Sequence, residues 1–372
     1  MDRMPKWADV VLIPLISVVL AFMVSGLVVA IIGESPLRAM QIMLRGAFGS
    51  AYGWGYTLYY ATNFIFTGLA VAVAFHARLF NIGGEGQAAL GGLGVAVILL
   101  AVDWPHWSLA LAAAMGFAML FSAAWAAVPA YLQARRGSHI VITTIMFNYI
   151  ASALLVYLLV NVFRVECSMA PESASFAATT HLPNAADFAG GLGFRGSTPL
   201  NISIFLALIA CVLVWLLIWR TRLGYEIRSF GHSETAAVYA GINPTRIIMI
   251  TMLISGALAG MMAVNVVMGE AERLVLDFVE GAGFVGIAVA LMGRSHPVGV
   301  VLAALLFGAL YQGGAELQFE MPAISREMIV VIQALVILFT GALDNMVRMP
   351  VQSIFLSLKR RRDNAARPNP AE

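Results

Sequence analysis

Charge is scarce in this chain: Asp, Glu, Lys and Arg make up 11% of 372 residues, whereas hydrophobic residues make up 60%. With a mean hydropathy of +0.86, that scarcity excludes an ordinary soluble globule, in which about a quarter of residues are charged. Cysteine is nearly missing too, with Cys167 in a polar stretch and Cys211 inside an apolar run. Two thiols at different depths build neither a disulfide framework nor a zinc site. His76, His106, His139, His181, His232 and His296 lack the spacing of metal ligands and read as surface or capping residues. Lysine occurs only at Lys6 and Lys359, neither in a glycine-rich phosphate loop, so a Walker A site is excluded. Nor does any basic tract interleave with aromatics as a nucleic-acid groove requires.

What remains is a series of apolar runs, several of roughly 20 residues, the length that crosses a bilayer core. They are continuous rather than alternating, as in 213–219 (LVWLLIW), which points to helices and not to a transmembrane barrel. The fold class is therefore all-α, a polytopic membrane protein of about ten helices. Spans are expected near 9–32, 56–76, 88–103, 107–132, 141–163, 199–219, 246–268, 281–293, 297–314 and 327–347. The first run is too long for a signal-peptide core and reads as a retained anchor. With a cytoplasmic N-terminus, only Arg38, Arg45, Arg164, Arg195, Arg273 and Arg326 fall outside, leaving sixteen of the 22 basic residues inside. That asymmetry places both termini in the cytoplasm.

Between the second and third spans lies FNIGGEGQ at 80–87, where a carboxylate, two amides and three glycines interrupt apolar sequence. Polar groups and irregular backbone at membrane depth are costly unless they line a cavity or are satisfied within the protein. Two roles therefore fit Glu85: it contacts a polar substrate, or it caps a helix start at the break. The same pair of roles applies to Asn81 and Gln87, which suit sugars or bases but also fasten backbone. Asn148, with Thr143 and Thr144 a turn away, forms a second polar patch that serves either substrate or helix-to-helix bonding. Phe64, Phe66, Phe80 and Phe147 are candidates for stacking on a planar ligand or for ordinary packing. The substrate-path set is thus Asn81, Glu85, Gln87, Asn148, Thr144 and Phe80.

Outside the spans, 34–55 reads as an amphipathic helix on the membrane surface, and 164–198 as a modest external loop. Glu270, Glu272, Asp277 and Glu280 with Arg273 suit either a receptor contact or a solvated face. The runs 68–74 and 286–291 resemble each other and hint at an internal repeat. The KRRR at 359–362 suits anionic headgroups, and the tail 348–372 is expected to be partly disordered. The segment 220–246 is polar and helix-forming. Ser233 is a suitable N-cap for a short helix from Glu234 to Tyr239, and Gly241 suits the left-handed position after it.

Four blocks carry a resemblance: FNIGGEGQ at 80–87, GSHIVITTIMFNYIA at 137–151, GYEIRSFGHSETAAVYAGIN at 224–243, and GAGFVGIAVALMGRSHPVGV at 281–300. In order and spacing the chain resembles, over about 30–347, permease subunits of bacterial ABC importers, specifically the nucleoside and simple-sugar branch of the ribose and branched-chain amino acid permeases. The resemblance implies a type II importer-like fold with broken or re-entrant segments in the cytoplasmic membrane. It also implies a coupling loop at 224–243, with Glu226, Gly231, Glu234, Ala236, Ala237, Gly241, Ile242 and Asn243 as coupling residues. The implied partners are an ABC ATPase dimer that carries ATP and Mg, a second permease copy or paralogue, and an extracytoplasmic substrate-binding protein. No cofactor, metal or catalytic residue is expected on this chain itself. The competing reading is a secondary transporter with Glu85 as its ion-coupling acid.

Overall fold

A computed structural model describes residues 12–165, 170–194 and 198–339, together with Met349 and Ser353. Cys167, Arg195, the end of the last expected span and nearly all of the C-terminal tail lie outside the described residues. Apart from two isolated bridges, Glu172 with Val275 and Asn184 with Asn201, the regular structure among the described residues is helical. Helices α1 (Ile13–Ile31) and α2 (Pro36–Phe48) are bent by 120° at the break between them. Four helices follow in succession: α3 (Ala51–His76), α4 (Gly84–Ala101), α5 (Trp107–Arg136) and α6 (Ile140–Asn161). Short α7 (Ala185–Ala189) sits within the 164–198 loop, and α8 (Ser203–Arg220) leads into α9 (Arg222–His232) and α10 (Glu234–Tyr239). Helix α11 (Pro244–Ala263) runs on as a π turn (Val264–Met268), followed by α12 (Ala282–Met292), α13 (Pro297–Glu320) and α14 (Arg326–Ile337).

Seven of the described helices are long and apolar enough to cross a membrane: α3, α4, α5, α6, α8, α11 with its π turn, and α13. The bent α1 and α2 pair makes an eighth if counted as one span. This test does not confirm the expected count of about ten: 281–293 yields an 11-residue helix, while 327–347 is described only to residue 339, with α14 over Arg326–Ile337. The first keeps its expected bounds: α12 opens after Gly281, which takes φ +79°, and ends before Gly293, so the helix is short because the expected segment itself is short. Two other boundaries differ. Helix α3 begins at Ala51, within the segment expected on the membrane surface, and α4 begins at Gly84, so Glu85 and Gln87 belong to its first turn.

The chain divides into two compact units, one drawn from Met1–Met43 and Gly314–Glu372, the other being Leu44–Gly313. In the first, α1 packs on α14, and an apolar cavity of about 660 Å³ is lined by residues such as Met23, Leu27, Leu37, Met40 and Ile332. Such a lining suits hydrocarbon rather than a polar solute. The second unit holds the polar chemistry. At its centre stand α3, α4 and α11, with 83%, 72% and 67% of their best spanning windows buried, while α5, α6 and α8 are only 28%, 22% and 33% buried. Glycine lets three of these helices approach closely. A side chain at Gly91 would press on Gly260, and one at Gly256 on Ala126 and Ser122, so α4, α11 and α5 cross at backbone distance.

The two similar runs face each other. Gly68 of α3 lies against Val289, and Gly286 of α12 against Thr67, so each glycine admits the other helix.

Candidate functional site

Helix α3 ends at His76, yet α4 starts near the middle of the bundle. Asn81 reaches Ser255, about halfway along α11, and Gly86 meets Asn148, halfway along α6. The backbone at 77–83 therefore turns back inward before helix formation resumes. Its polar groups are satisfied from three sides. Asn81 Nδ2 donates to Gln87 Oε1 at 2.9 Å and to Ser255 Oγ at 2.8 Å, while Asn81 Oδ1 accepts from Gly83 N at 2.9 Å and Gln87 Nε2 at 3.2 Å. Asn148 Oδ1 accepts from Gly86 N and its Nδ2 donates to the Ile82 carbonyl, both at 2.9 Å. Ser122 Oγ donates to the Gln87 carbonyl at 2.6 Å.

Glu85 does cap a helix, but not its own. Its Oε1 accepts from Gly281 N at 2.8 Å and its Oε2 from Gly283 N at 2.9 Å, so one carboxylate closes the N-terminus of α12. Gly84 and Gly283 meet so closely that a side chain on Gly283 would collide with the Glu85 backbone. Two helix N-termini, each a partial positive pole, thus converge inside the bundle around one negative charge.

These contacts sort the sequence candidates. Asn81, Gln87 and Thr144 are fully buried, and Thr144 Oγ1 turns back to the carbonyls of Ile140 and Val141 at 2.8 and 3.1 Å. Phe80 lies tilted against Phe75 with ring centroids 5.0 Å apart. Phe147 lies against Trp125, and Phe64 against Tyr311 and Phe307. Of the substrate-path set, Glu85 and Asn148 line a cavity of about 330 Å³, together with Ser152, Asp277 and Phe278.

A second cavity, of about 230 Å³, is bounded like the first by the turn segment 276–279. It is lined by Tyr56, Tyr59, Tyr60, Asn63, Phe64, Tyr311 and Glu270, most of which sequence reasoning passed over. The signal was present in YTLYYATNF at 56–64, where tyrosines and an asparagine recur at helical spacing within an apolar span. Asn63 is anchored by Asn265, whose Nδ2 donates to Asn63 Oδ1 at 2.7 Å and to the Tyr59 carbonyl at 3.2 Å. Asn265 belongs to the π turn, a widened turn that often marks functional positions. Glu270 faces open space, yet desolvation by the surrounding wall, and then the Glu280 carboxylate, raise its carboxyl above the ordinary range. Glu272, Asp277 and Glu280 all take φ near +50°, a conformation costing non-glycine residues about 1 kcal/mol or more each. The segment is held from outside: Arg273 pairs with Glu172 at 3.1 Å, His181 with Glu272 at 2.9 Å, and Ser173 N donates to the Leu274 carbonyl.

At the other end of the unit α9 and α10 form a helical knob. Capping logic anticipates α10 but not α9. Thr221 Oγ1 accepts from Gly224 N, Ser233 Oγ from Ala236 N, and Asn243 Oδ1 from Arg246 N, while Gly241 takes φ +81°. Two of the expected coupling residues face inward. Ala237 is 2% exposed, and Gly231 lies against the His76 carbonyl, where a side chain would collide. Glu226 is tied to Arg222 at 3.1 Å, whereas Glu234, Ala236, Gly241 and Asn243 are exposed and Ile242 half-buried. The exposed apolar face is made instead by Val238 and Tyr239, 51% and 94% exposed.

Residues 54–341 match the family described as the branched-chain amino acid transport system permease component. The guanosine ABC transporter permease protein NupP of Bacillus subtilis is 36% identical over 91% of this chain and 95% of its own length. The glucose ABC transporter permease protein TsgB13 of Haloferax volcanii is 32% identical over 88% of this chain and 86% of its own. A second guanosine ABC transporter permease protein of B. subtilis, NupQ, is 27% identical over 68% of this chain and 78% of its own.

Proposed function

The chain belongs to the permease-component family of branched-chain amino acid transport systems, and we propose that it forms the translocation pathway of an ATP-driven importer of a nucleoside or simple sugar. The observation that carries the reading is a mechanical connection. The knob bears an exposed apolar tip at Val238 and Tyr239, and its Gly231 rests on His76, directly before the re-entrant 77–83 turn that leads to the Glu85 junction. A push on the knob is thereby delivered to the discontinuous centre of the bundle. Discontinuous helices are where transporters place their pathways.

In this reading the helices make ten crossings in the manner of a type II importer, with α1, α12 and α14 adding to the seven long ones. Both termini and the knob lie in the cytoplasm of a bacterial cell, and the 270–281 segment faces outward, in keeping with the sixteen basic residues on the inner side. The knob docks on an ABC ATPase dimer that binds ATP and Mg, and this chain contributes no catalytic group. The outer segment receives substrate from a binding protein. One knob per chain and two ATPase sites call for a second permease. The two guanosine permeases of one organism among the relatives favour a paralogue as that partner. The ion-coupled alternative requires Glu85 to release a proton or cation freely, whereas its carboxylate is committed to two amides of α12.

Affinity purification of the chain co-expressed with its ATPase tests the docking. The wild-type chain should retain the ATPase, and Val238→Asp with Tyr239→Asp should lose it with thermal unfolding unchanged. An ATPase retained by that double variant would overturn the assignment of the knob.

A further inference from the structure

We infer that the tyrosine-walled cavity next to the 270–281 segment is a substrate site of the permease itself, selective for a neutral nucleoside, with its base stacked on Tyr60 and its neighbours and its hydroxyls donating to Glu270. The inference deepens the transport reading above and rests on it.

The wall is a continuous aromatic surface. Tyr60 lies 6.3, 5.4 and 5.6 Å from Tyr56, Tyr59 and Tyr311, and Phe64 lies 5.0 Å from Tyr311. Tyrosines at a membrane surface commonly anchor the protein among headgroups with their rings facing outward. Here they surround a cavity, with Tyr60 and Tyr56 half-buried and Tyr59 only 6% exposed. Every nucleobase has a π face that stacks on such rings, whereas a free hexose presents only C–H groups to the ring faces.

Charge narrows the class further. Among the described residues the lining includes three carboxylates, of Glu270, Asp277 and Glu280, and no Lys, Arg or His. A nucleotide, a sugar phosphate or the carboxylate of an amino acid would meet repulsion with no cation to offset it. A nucleoside meets none, and its hydroxyls and exocyclic amine are donors that carboxylates accept. Asn63, 4% exposed and held by Asn265, adds a fixed polar group to the same wall. Size agrees as well. At about 230 Å³ the cavity falls below the ~300–1,000 Å³ of drug-sized pockets, which suits one small solute rather than an oligosaccharide or peptide.

Equilibrium binding of radiolabelled guanosine, guanosine 5′-monophosphate and glucose to the purified permease and ATPase complex in lipid nanodiscs, without the receptor, tests the inference. Guanosine should bind at least tenfold more tightly than either other probe. Tyr60→Leu should weaken guanosine binding about tenfold and Tyr60→Phe less than twofold, because stacking depends on the ring. Glu270→Gln should weaken guanosine and relieve the exclusion of the monophosphate. Absent guanosine binding, glucose or monophosphate binding as tight as guanosine, or unchanged affinity in Tyr60→Leu would each overturn it. ATP-driven uptake by the same complex with its receptor is scored separately. Uptake that persists without guanosine binding removes this site alone, whereas no ATP-driven uptake removes the transport reading beneath it.

Discussion

The α9 and α10 knob and the junction of α4 with α12 both have to satisfy freed backbone groups, and they do so by opposite means. At the knob each cap comes from the adjacent chain: Thr221, Ser233 and Asn243 bond amides three residues ahead. At the junction local bonds from Asn81 to Gly83 and Gln87 are completed by remote ones, with Glu85 closing a helix 196 residues away and Asn81 meeting Ser255 174 residues away. A locally capped element keeps its shape when moved as a piece, which suits a part that transmits force. A remotely satisfied junction holds only while several helices remain in register, which suits a part whose rearrangement opens or closes a path.

Perturbing either region should expose this difference, and the largest effect belongs to the junction. Gly283→Leu sets a side chain against the backbone of Glu85 and Gly84. It should cost about 3 kcal/mol or more and abolish uptake, with loss of the monodisperse peak in size-exclusion chromatography. A wild-type elution profile and uptake would mean that α4 and α12 do not abut as described.

Removing the remote cap comes next. Glu85→Ala leaves the amides of Gly281 and Gly283 without their acceptor, at a cost of about 2–4 kcal/mol in thermal unfolding. Glu85→Gln keeps one acceptor oxygen, so it should lose about half as much and still support uptake. If Glu85→Gln unfolds like wild type yet abolishes uptake, the carboxyl acts as an ion carrier and not as a cap.

The smallest effect belongs to the knob. Ser233→Ala removes a single local cap on a partly exposed helix and should cost about 1 kcal/mol, with uptake reduced but measurable. Combined with Thr221→Ala the losses should add, since the two caps share no partner. A combined loss well beyond the sum would show that the knob is not built from independent local caps.

The same contrast explains what could be read from the chain. Apolar runs marked the long helices, and Ser233 with Gly241 marked both ends of α10, because periodicity and capping act within a few residues. The break at 80–87 was visible as a polar interruption, but the partner of Glu85 was not. Nothing near Glu85 in sequence indicates that its acceptor role is filled by the amides of Gly281 and Gly283. Asn81 and Gln87 looked like substrate ligands for the same reason, since a side chain satisfied by Ser255 looks identical in sequence to one awaiting a solute. The tyrosine cavity escaped notice because tyrosines on an outer helix end look like interfacial anchors until α11, α13 and the 276–279 turn are placed around them.

The central claim is that the Glu85 junction is a path moved by an external ATPase and not an ion-coupled carrier. Uptake of guanosine and glucose into proteoliposomes holding the permeases, the ATPase and the receptor tests it most directly. The account predicts uptake of at least one probe that needs hydrolysable ATP and persists when ionophores collapse the proton and sodium gradients. Uptake that survives without the ATPase and disappears with either gradient would contradict it.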